Sequence, residues 1–153
     1  TFESIKQSLL AKGVSFEEVT FTDETISART SDTSVDKNYD PNNSIKILII
    51  STKDGFKAVI LKGSDRIDQI KLKGIVGKWS VVGIKTLAEK FQSLPGTICP
   101  LVLDLPVLID DQALALKVWS MGAGENNKGI NVAVDEVLRY IPDHKVVSIK
   151  QQL

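Results

Sequence analysis

One cysteine and one histidine are all that this chain of 153 residues offers toward thiol or imidazole chemistry. Cys99 has no partner for an internal disulfide, so no cross-link is available to hold the fold. One Cys and one His cannot build the nitrogen and sulfur ligand sets of a zinc site, and neither a metal nor a cofactor is expected. A nucleophilic Cys–His pair would require Cys99 to meet His144, which lies in a Pro-Asp-His turn near the end of the chain. Nothing in the spacing joins them, so Cys99 reads as a small loop residue and His144 as a surface residue before the last strand. Excess charge is also missing. The 19 basic and 19 acidic residues give a formal net charge of zero, so no global field draws in a polyanion, and any nucleic-acid contact must be local. No apolar run approaches the ~20 residues needed to cross a bilayer. With no signal-like apolar N-terminus either, the expectation is a soluble protein of a reducing cytoplasm with no membrane partner. Thr1 stands where an initiator methionine is expected, which implies processing or trimming.

What is present is an ordinary globular balance, 42% hydrophobic and 25% charged, which argues against disorder over most of the chain. Residues 1–153 fit one domain, and a domain of this size buries roughly 68 to 70 per cent of its unfolded surface. Phe2, Ile5, Leu9 and Leu10 recur at helical spacing up to Gly13, predicting a helix over residues 2 to 12. Residues 14 to 21 read as a strand, and Thr22 to Asn43 as a long polar loop, of the kind that serves as a lid, with a short helix near Thr25 to Arg29. The run from Ser44 to Ser51 is apolar and β-branched, as in a strand buried on both faces. Asp54-Gly55 then predicts a hairpin into the strand Phe56 to Leu61. Ser64-Asp65 are expected to cap a helix to about Ile75, followed by a strand at Trp79 to Val82 and an amphipathic helix from Ile84 to Phe91. Leu94 to Pro100 is a turn-rich loop. Strands are predicted at 107 to 110, 116 to 121, 129 to 134 and 146 to 149, with a short helix capped by Asp135 and ending at Tyr140. Helices and strands interleave without a regular repeat, so the expected fold is α/β of the α+β kind, a mixed, curved sheet flanked by helices.

Within that frame Lys46 is anomalous, because a lysine in an apolar strand is rarely fully buried unless paired. It either snorkels to solvent or is aimed into a pocket. Two glycine motifs bear on the choice: Gly96-Thr97-Ile98-Cys99-Pro100, and Met121-Gly122-Ala123-Gly124 at the end of a strand. Each has a bland reading as a turn. Asp110 and Asp111 sit at a strand end and could orient a water, but adjacent carboxylates in a strand point to opposite faces and commonly form a solvated turn. Lys62, Arg66, Lys71, Lys73 and Lys78 are either an ordinary solvated face or a local surface for RNA.

Lys46 on a strand, the Gly96–Pro100 loop and the Met121–Gly124 segment, in this order, resemble the YbaK/EbsC family over about Thr25 to Ile149. That family comprises free-standing aminoacyl-tRNA deacylases and the editing domain inserted in bacterial prolyl-tRNA synthetases. The chain departs from the family pattern where Ile47 replaces a hydroxyl residue and Cys99 a common Ser. Asn131 stands where some relatives carry Asp, and Met121 where some carry Ser. The resemblance implies hydrolysis in trans of a mischarged aminoacyl-tRNA, with the acceptor end of the tRNA as partner and a synthetase as a further one. An activated ester needs a placed water and stabilisation of the developing oxyanion, not a nucleophilic side chain. Backbone N–H groups of Gly96, Thr97, Ile98 and Cys99 would supply that stabilisation, one donor being worth about 2.7 to 4 kcal/mol. Lys46 would orient the carbonyl or a terminal phosphate as the one cation placed in the pocket. Pro100, Met121, Gly122, Ala123, Gly124 and Asn131 would line the substrate site. Two rival readings stand beside this one: a binding module for a tRNA end or aminoacyl nucleotide, and a Cys99-dependent hydrolase of a small ester or thioester.

Overall fold

The computed structural model describes residues 1–21 and 39–152. The short helix expected near Thr25 to Arg29, and most of the expected lid, lie outside the described residues. The chain opens with helix α1 (Phe2–Ala11), capped where Thr1 Oγ1 accepts from the backbone N–H of Ser4. Phe2 and Leu9 face the core, whereas Leu10 is 55% exposed and belongs to the outer face. Strand β1 (Glu17–Thr20) follows, shorter than its apolar pattern suggested.

Strands β2 (Ile45–Thr52) and β3 (Gly55–Lys62) form the expected hairpin. Its left-handed conformation falls on Gly55 alone, at φ +110°, while Lys53 and Asp54 keep negative φ. Thr52 Oγ1 braces the turn by donating to the Gly55 carbonyl at 2.8 Å. Helix α2 (Gln69–Val76) starts later than expected: Asp68, not Ser64 or Asp65, is its cap, accepting from the N–H groups of Ile70 and Lys71. The reason is tertiary. Asp68 N–H donates to the Ile149 carbonyl and Gln151 N–H to the Arg66 carbonyl, which holds 66–68 extended against the C-terminal segment. Strand β4 (Trp79–Val81) and helix α3 (Ile84–Phe91) agree with the pattern.

The second half contributes β5 (Val107–Asp110), β6 (Val118–Gly122), β7 (Lys128–Ala133), the short helix α4 (Val134–Val137) and β8 (His144–Val147). Asp135 does not cap α4. It lies in the first turn, where a carboxylate still favours the positive end of the helix dipole. The fold is α+β, with a five-stranded mixed sheet in the order β4-β2-β3-β5-β8 flanked by helices, and a three-stranded antiparallel sheet β1-β7-β6 beside it. Within the larger sheet β3, β5 and β8 run parallel and the rest antiparallel. A parallel bridge between Ser44 and Ser120 joins the two sheets. The core between them centres on Trp119, fully buried, whose indole N–H donates to the Ala113 carbonyl at 2.8 Å.

Asp110 belongs to this framework. It is completely buried, and one carboxylate oxygen accepts from the N–H groups of Ile149 (2.8 Å) and Lys150 (3.2 Å), the other from Gln112 (3.1 Å). It fixes the end of β5 to the segment after β8, and the expectation of a solvated turn holds only for the exposed Asp111. Asp110→Ala leaves these donors without an acceptor and is expected to lower unfolding free energy by about 3 kcal/mol, with a smaller loss for Asp110→Asn. Urea denaturation of the two variants measures both.

Candidate active site

The site originates in incomplete strand pairing. β4 pairs with β2 only at Ile50, Ser51 and Thr52, and a last bond from Val82 N–H reaches the Ile49 carbonyl. From Ile45 to Leu48 that edge of β2 has no partner strand among the described residues. The backbone of Ser44 bonds Gly63 on the β3 side and that of Ile49 bonds Val82 on the other. By strand alternation the N–H and C=O of Ile47 therefore face the open edge. A cavity of about 420 Å³ occupies the space between this edge, β6, β7, the start of α3 and the loop before Ile98. Its surface is mainly aliphatic, with Phe21 and Tyr39 packed edge to face at 5.0 Å on one side. No carboxylate lines it among the described residues. This is why β2 is not buried on both faces as expected: Ile45, Ile49 and Ile50 are buried, but Lys46, Ile47 and Leu48 are half-buried beside the cavity.

Lys46 lines the cavity, as do Gly96 and Ile98 from the loop and Met121 and Gly122 from β6. The other residues singled out in sequence lie behind this surface. Thr97 is buried, and its hydroxyl donates to the Leu94 carbonyl at 2.7 Å while accepting from Leu94 N–H. Its own N–H is spent on the same carbonyl, at 3.1 Å. Thr97 is therefore the brace of the turn, and its N–H cannot serve as an oxyanion donor. The N–H groups of Gly96 and Ile98 have no protein acceptor among the described residues. Cys99 and Pro100 are buried outside the cavity lining, where Pro100 opens a single 3₁₀ turn. Burial pushes the Cys99 thiol up from its ordinary value near 9 to about 11, so the thiolate a nucleophile requires is scarce near neutrality. His144 begins β8 and places Nδ1 2.5 Å from the Ile141 carbonyl, and it does not line the cavity.

The two glycine motifs meet at Gly122. A Cβ there would come within 2.6 Å of the Gly96 carbonyl oxygen and 2.8 Å of the Thr97 carbonyl carbon. Absence of a side chain is thus what lets the loop lie against β6, and Gly124 N–H ties the contact by donating to the Thr97 carbonyl at 2.8 Å. Gly124 itself, at φ +93°, packs against Thr1 and Ile5 of the N-terminal helix, and Ala123 is fully buried. Neither lines the cavity. Asn131 is 4% exposed and sits behind Ser120, whose hydroxyl donates to it.

Sequence reasoning missed three polar residues of the lining: Ser44, Ser120 and Lys128. Ser120 carried the same signal that marked Lys46, a polar residue within an apolar strand. Lys128 carried none, standing at a strand start where lysine is unremarkable. Lys128 borders the cavity, but its ammonium donates to Thr20 Oγ1 at 3.1 Å and lies 5.5 Å from the Phe2 ring, and neither Thr20 nor Phe2 is part of the lining. Lys62, Arg66, Lys71, Lys73 and Lys78 do not line the cavity.

Residues 27–140 match the profile of the aminoacyl-tRNA editing domain family. The chain belongs to that family. Among curated proteins it is similar to the proline–tRNA ligase of Legionella pneumophila (strain Lens), 27% identical over 115 residues, covering 72% of this chain and 20% of the ligase. It is also similar to the proline–tRNA ligase of Vesicomyosocius okutanii, 36% identical over 86 residues, covering 54% of this chain and 15% of the ligase. The chain thus spans about a fifth or less of the length of these ligases. Among solved structures, a candidate trans-editing enzyme for prolyl-tRNA synthetase superposes with TM-score 0.83 at 18% identity, over 99% of this chain and 97% of the other. A scaffold used for computational epitope grafting gives TM-score 0.84 at 17% identity, over the same shares. At these identities the likeness is one of fold, and it extends over the whole editing domain and the N-terminal helix.

Two outcomes test this geometry. Gly122→Ala forces the Gly96–Ile98 backbone to move and is expected to cost about 1 to 3 kcal/mol of stability, as overpacking does, which thermal and urea unfolding report. The Cys99 thiol is expected to resist iodoacetamide at pH 8 in the native protein and to react once unfolded. Because the unfolded chain loses this proton first, the thiol's contribution to stability is present below pH about 9 and is lost as pH rises toward 11.

Proposed function

We propose that this chain is one editing domain that hydrolyses the ester of a mischarged aminoacyl-tRNA in trans. The observation that carries the reading is a single cavity surface shared by Lys46, the Gly96 to Ile98 loop and Gly122, in a chain whose family is that of aminoacyl-tRNA editing domains. The ester carbonyl sits at the loop, where the N–H groups of Gly96 and Ile98 are the donors for the oxyanion. Lys46 orients the carbonyl or the terminal phosphate. With no carboxylate, thiol or imidazole on the described lining, the reaction relies on an ester already activated and a water placed by the substrate and main chain. Met121 and Gly122 form the wall that limits the acyl group. Thr97, Cys99, Pro100, Ala123, Gly124 and Asn131 hold that surface in shape from behind.

Editing in trans answers a limit of binding. One methylene changes affinity by only about 1 to 3 kcal/mol, so a synthetase admits smaller or isosteric amino acids and a second sieve removes the product. The partner is the acceptor end of the tRNA, in the same charging system as a prolyl-tRNA synthetase, and the place of action is the cytoplasm. Similarity to proline–tRNA ligases puts tRNAPro first among substrates to try.

The test is deacylation of tRNAPro charged with Ala, Ser or Cys, and of tRNAAla charged with Ser. Wild-type protein is expected to turn over at least one, and Lys46→Ala to lose about 100-fold or more, the scale of a lost positioning contact. Cys99→Ser is expected to leave turnover largely intact, whereas a thiol-dependent hydrolase would lose it. If folded wild-type protein deacylates none of the panel but binds an aminoacylated end, the domain is a binding module and the hydrolase reading falls.

A further inference from the structure

The cavity is apolar except at a few points, and two of these are the hydroxyls of Ser44 and Ser120, each 5% exposed. The two residues are neighbours, since they form the bridge that joins the sheets. Both hydroxyl protons are already committed inside the protein. Ser44 Oγ donates to the Pro41 carbonyl at 2.8 Å, and Ser120 Oγ donates to Asn131 Oδ1 at 2.5 Å. A hydroxyl has one proton and two acceptor lone pairs, so what each serine offers a ligand is acceptor capacity alone. Both are held by these bonds: Ser44 Oγ, tied to Pro41, occupies space that the missing side chain of Gly63 leaves open, and Ser120 is held by Asn131, itself 4% exposed.

Depth orders these groups. Gly96, Val81, Gly83 and Ile84 are the exposed members of the lining, whereas Ser44, Ser120, Ile45 and Ile130 are buried. An ester held at Gly96 therefore sends its acyl side chain inward toward the serines. We infer that Ser44 and Ser120 are specificity-determining residues that accept a hydrogen bond from a hydroxyl on the acyl side chain, favouring a hydroxyl-bearing aminoacyl ester over its aliphatic counterpart. Asn131 is a positioning residue, acting by holding the Ser120 proton. An acyl group without a donor would strip water from these acceptors and return nothing, and buried polar groups left unpaired are what make such discrimination effective. This inference rests on the editing reading above.

The measurement is the ratio of kcat/KM for seryl-tRNAPro over alanyl-tRNAPro, in wild type, Ser120→Ala, Ser44→Ala and Asn131→Asp. The expected wild-type ratio is about tenfold or more, the size of one good hydrogen bond. Each Ser→Ala change should reduce it several-fold, while Asn131→Asp, which keeps an acceptor for the Ser120 proton, should retain it. A wild-type preference for the alanyl ester, or a ratio unmoved by both Ser→Ala changes, overturns the inference. If no ester is turned over, the editing reading fails on its own, and calorimetry with non-hydrolysable amide-linked seryl- and alanyl-adenosine decides the inference separately. Tighter binding of the seryl analogue, lost in Ser120→Ala, supports it, and equal affinities overturn it.

Discussion

The architecture depends on β4 stopping short. By pairing with only Ile50 to Thr52 of β2, with one further bond from Val82 to Ile49, it leaves Ile45 to Leu48 of a central strand without a partner strand on that side among the described residues. A bare edge is ordinarily a liability, since unpaired N–H and C=O groups recruit other strands. Here the second sheet faces it across a cavity, touching at the Ser44–Ser120 bridge. The edge is thus enclosed without being paired. Polar main chain and apolar side chains share one concave surface, the combination that small-ligand sites use. Lys46 belongs to that stretch, which accounts for a lysine in a strand otherwise suited to burial.

The chemistry the site can support follows from what surrounds it. Lys46 on the lining, with no carboxylate among its described residues, suits a carbonyl oxygen gaining charge or a nucleotide phosphate. The loop that would meet the carbonyl is kept in shape by its own turn at Leu94–Thr97 and by contact with Gly122. Rigid donors, fixed before the substrate arrives, are worth more to a developing oxyanion than mobile ones. Cys99, the residue that looks most reactive in the sequence, instead packs beneath this loop.

Local chemistry made much of this legible. Asp54-Gly55 located the hairpin because a turn residue at positive φ is almost obligatory there. The 84–91 pattern located α3 because its apolar stripe recurs at helical period. Lys46 was visible because burying a charge demands a cause. Where the reading failed, the cause lay in distant contacts. Ser64-Asp65 looks like a cap as good as Asp68, and only the pairing of 66–68 with residues 149–151 selects between them. Asp110 read as solvated because nothing nearby announces that Ile149 and Lys150 will arrive to donate. Within the 96–100 loop, spacing could not separate lining from support. The division into Gly96 and Ile98 on one side and Thr97 and Cys99 on the other is set by the Leu94 turn. Lys128 borders the cavity, with its ammonium on Thr20, through the register of β7 against β1, which no short window contains.

Trp119 and Trp79 give this arrangement an optical consequence. Trp119 is fully buried in β6, one residue before Ser120 of the cavity lining, whereas Trp79 is half-buried in β4 of the other sheet. The chain holds just these two tryptophans, so each sheet carries its own intrinsic fluorophore. With Trp79 replaced by Phe, the remaining emission would come from a buried indole adjoining the cavity. Loss of order in the smaller sheet could then be followed without a label, apart from events in the larger one.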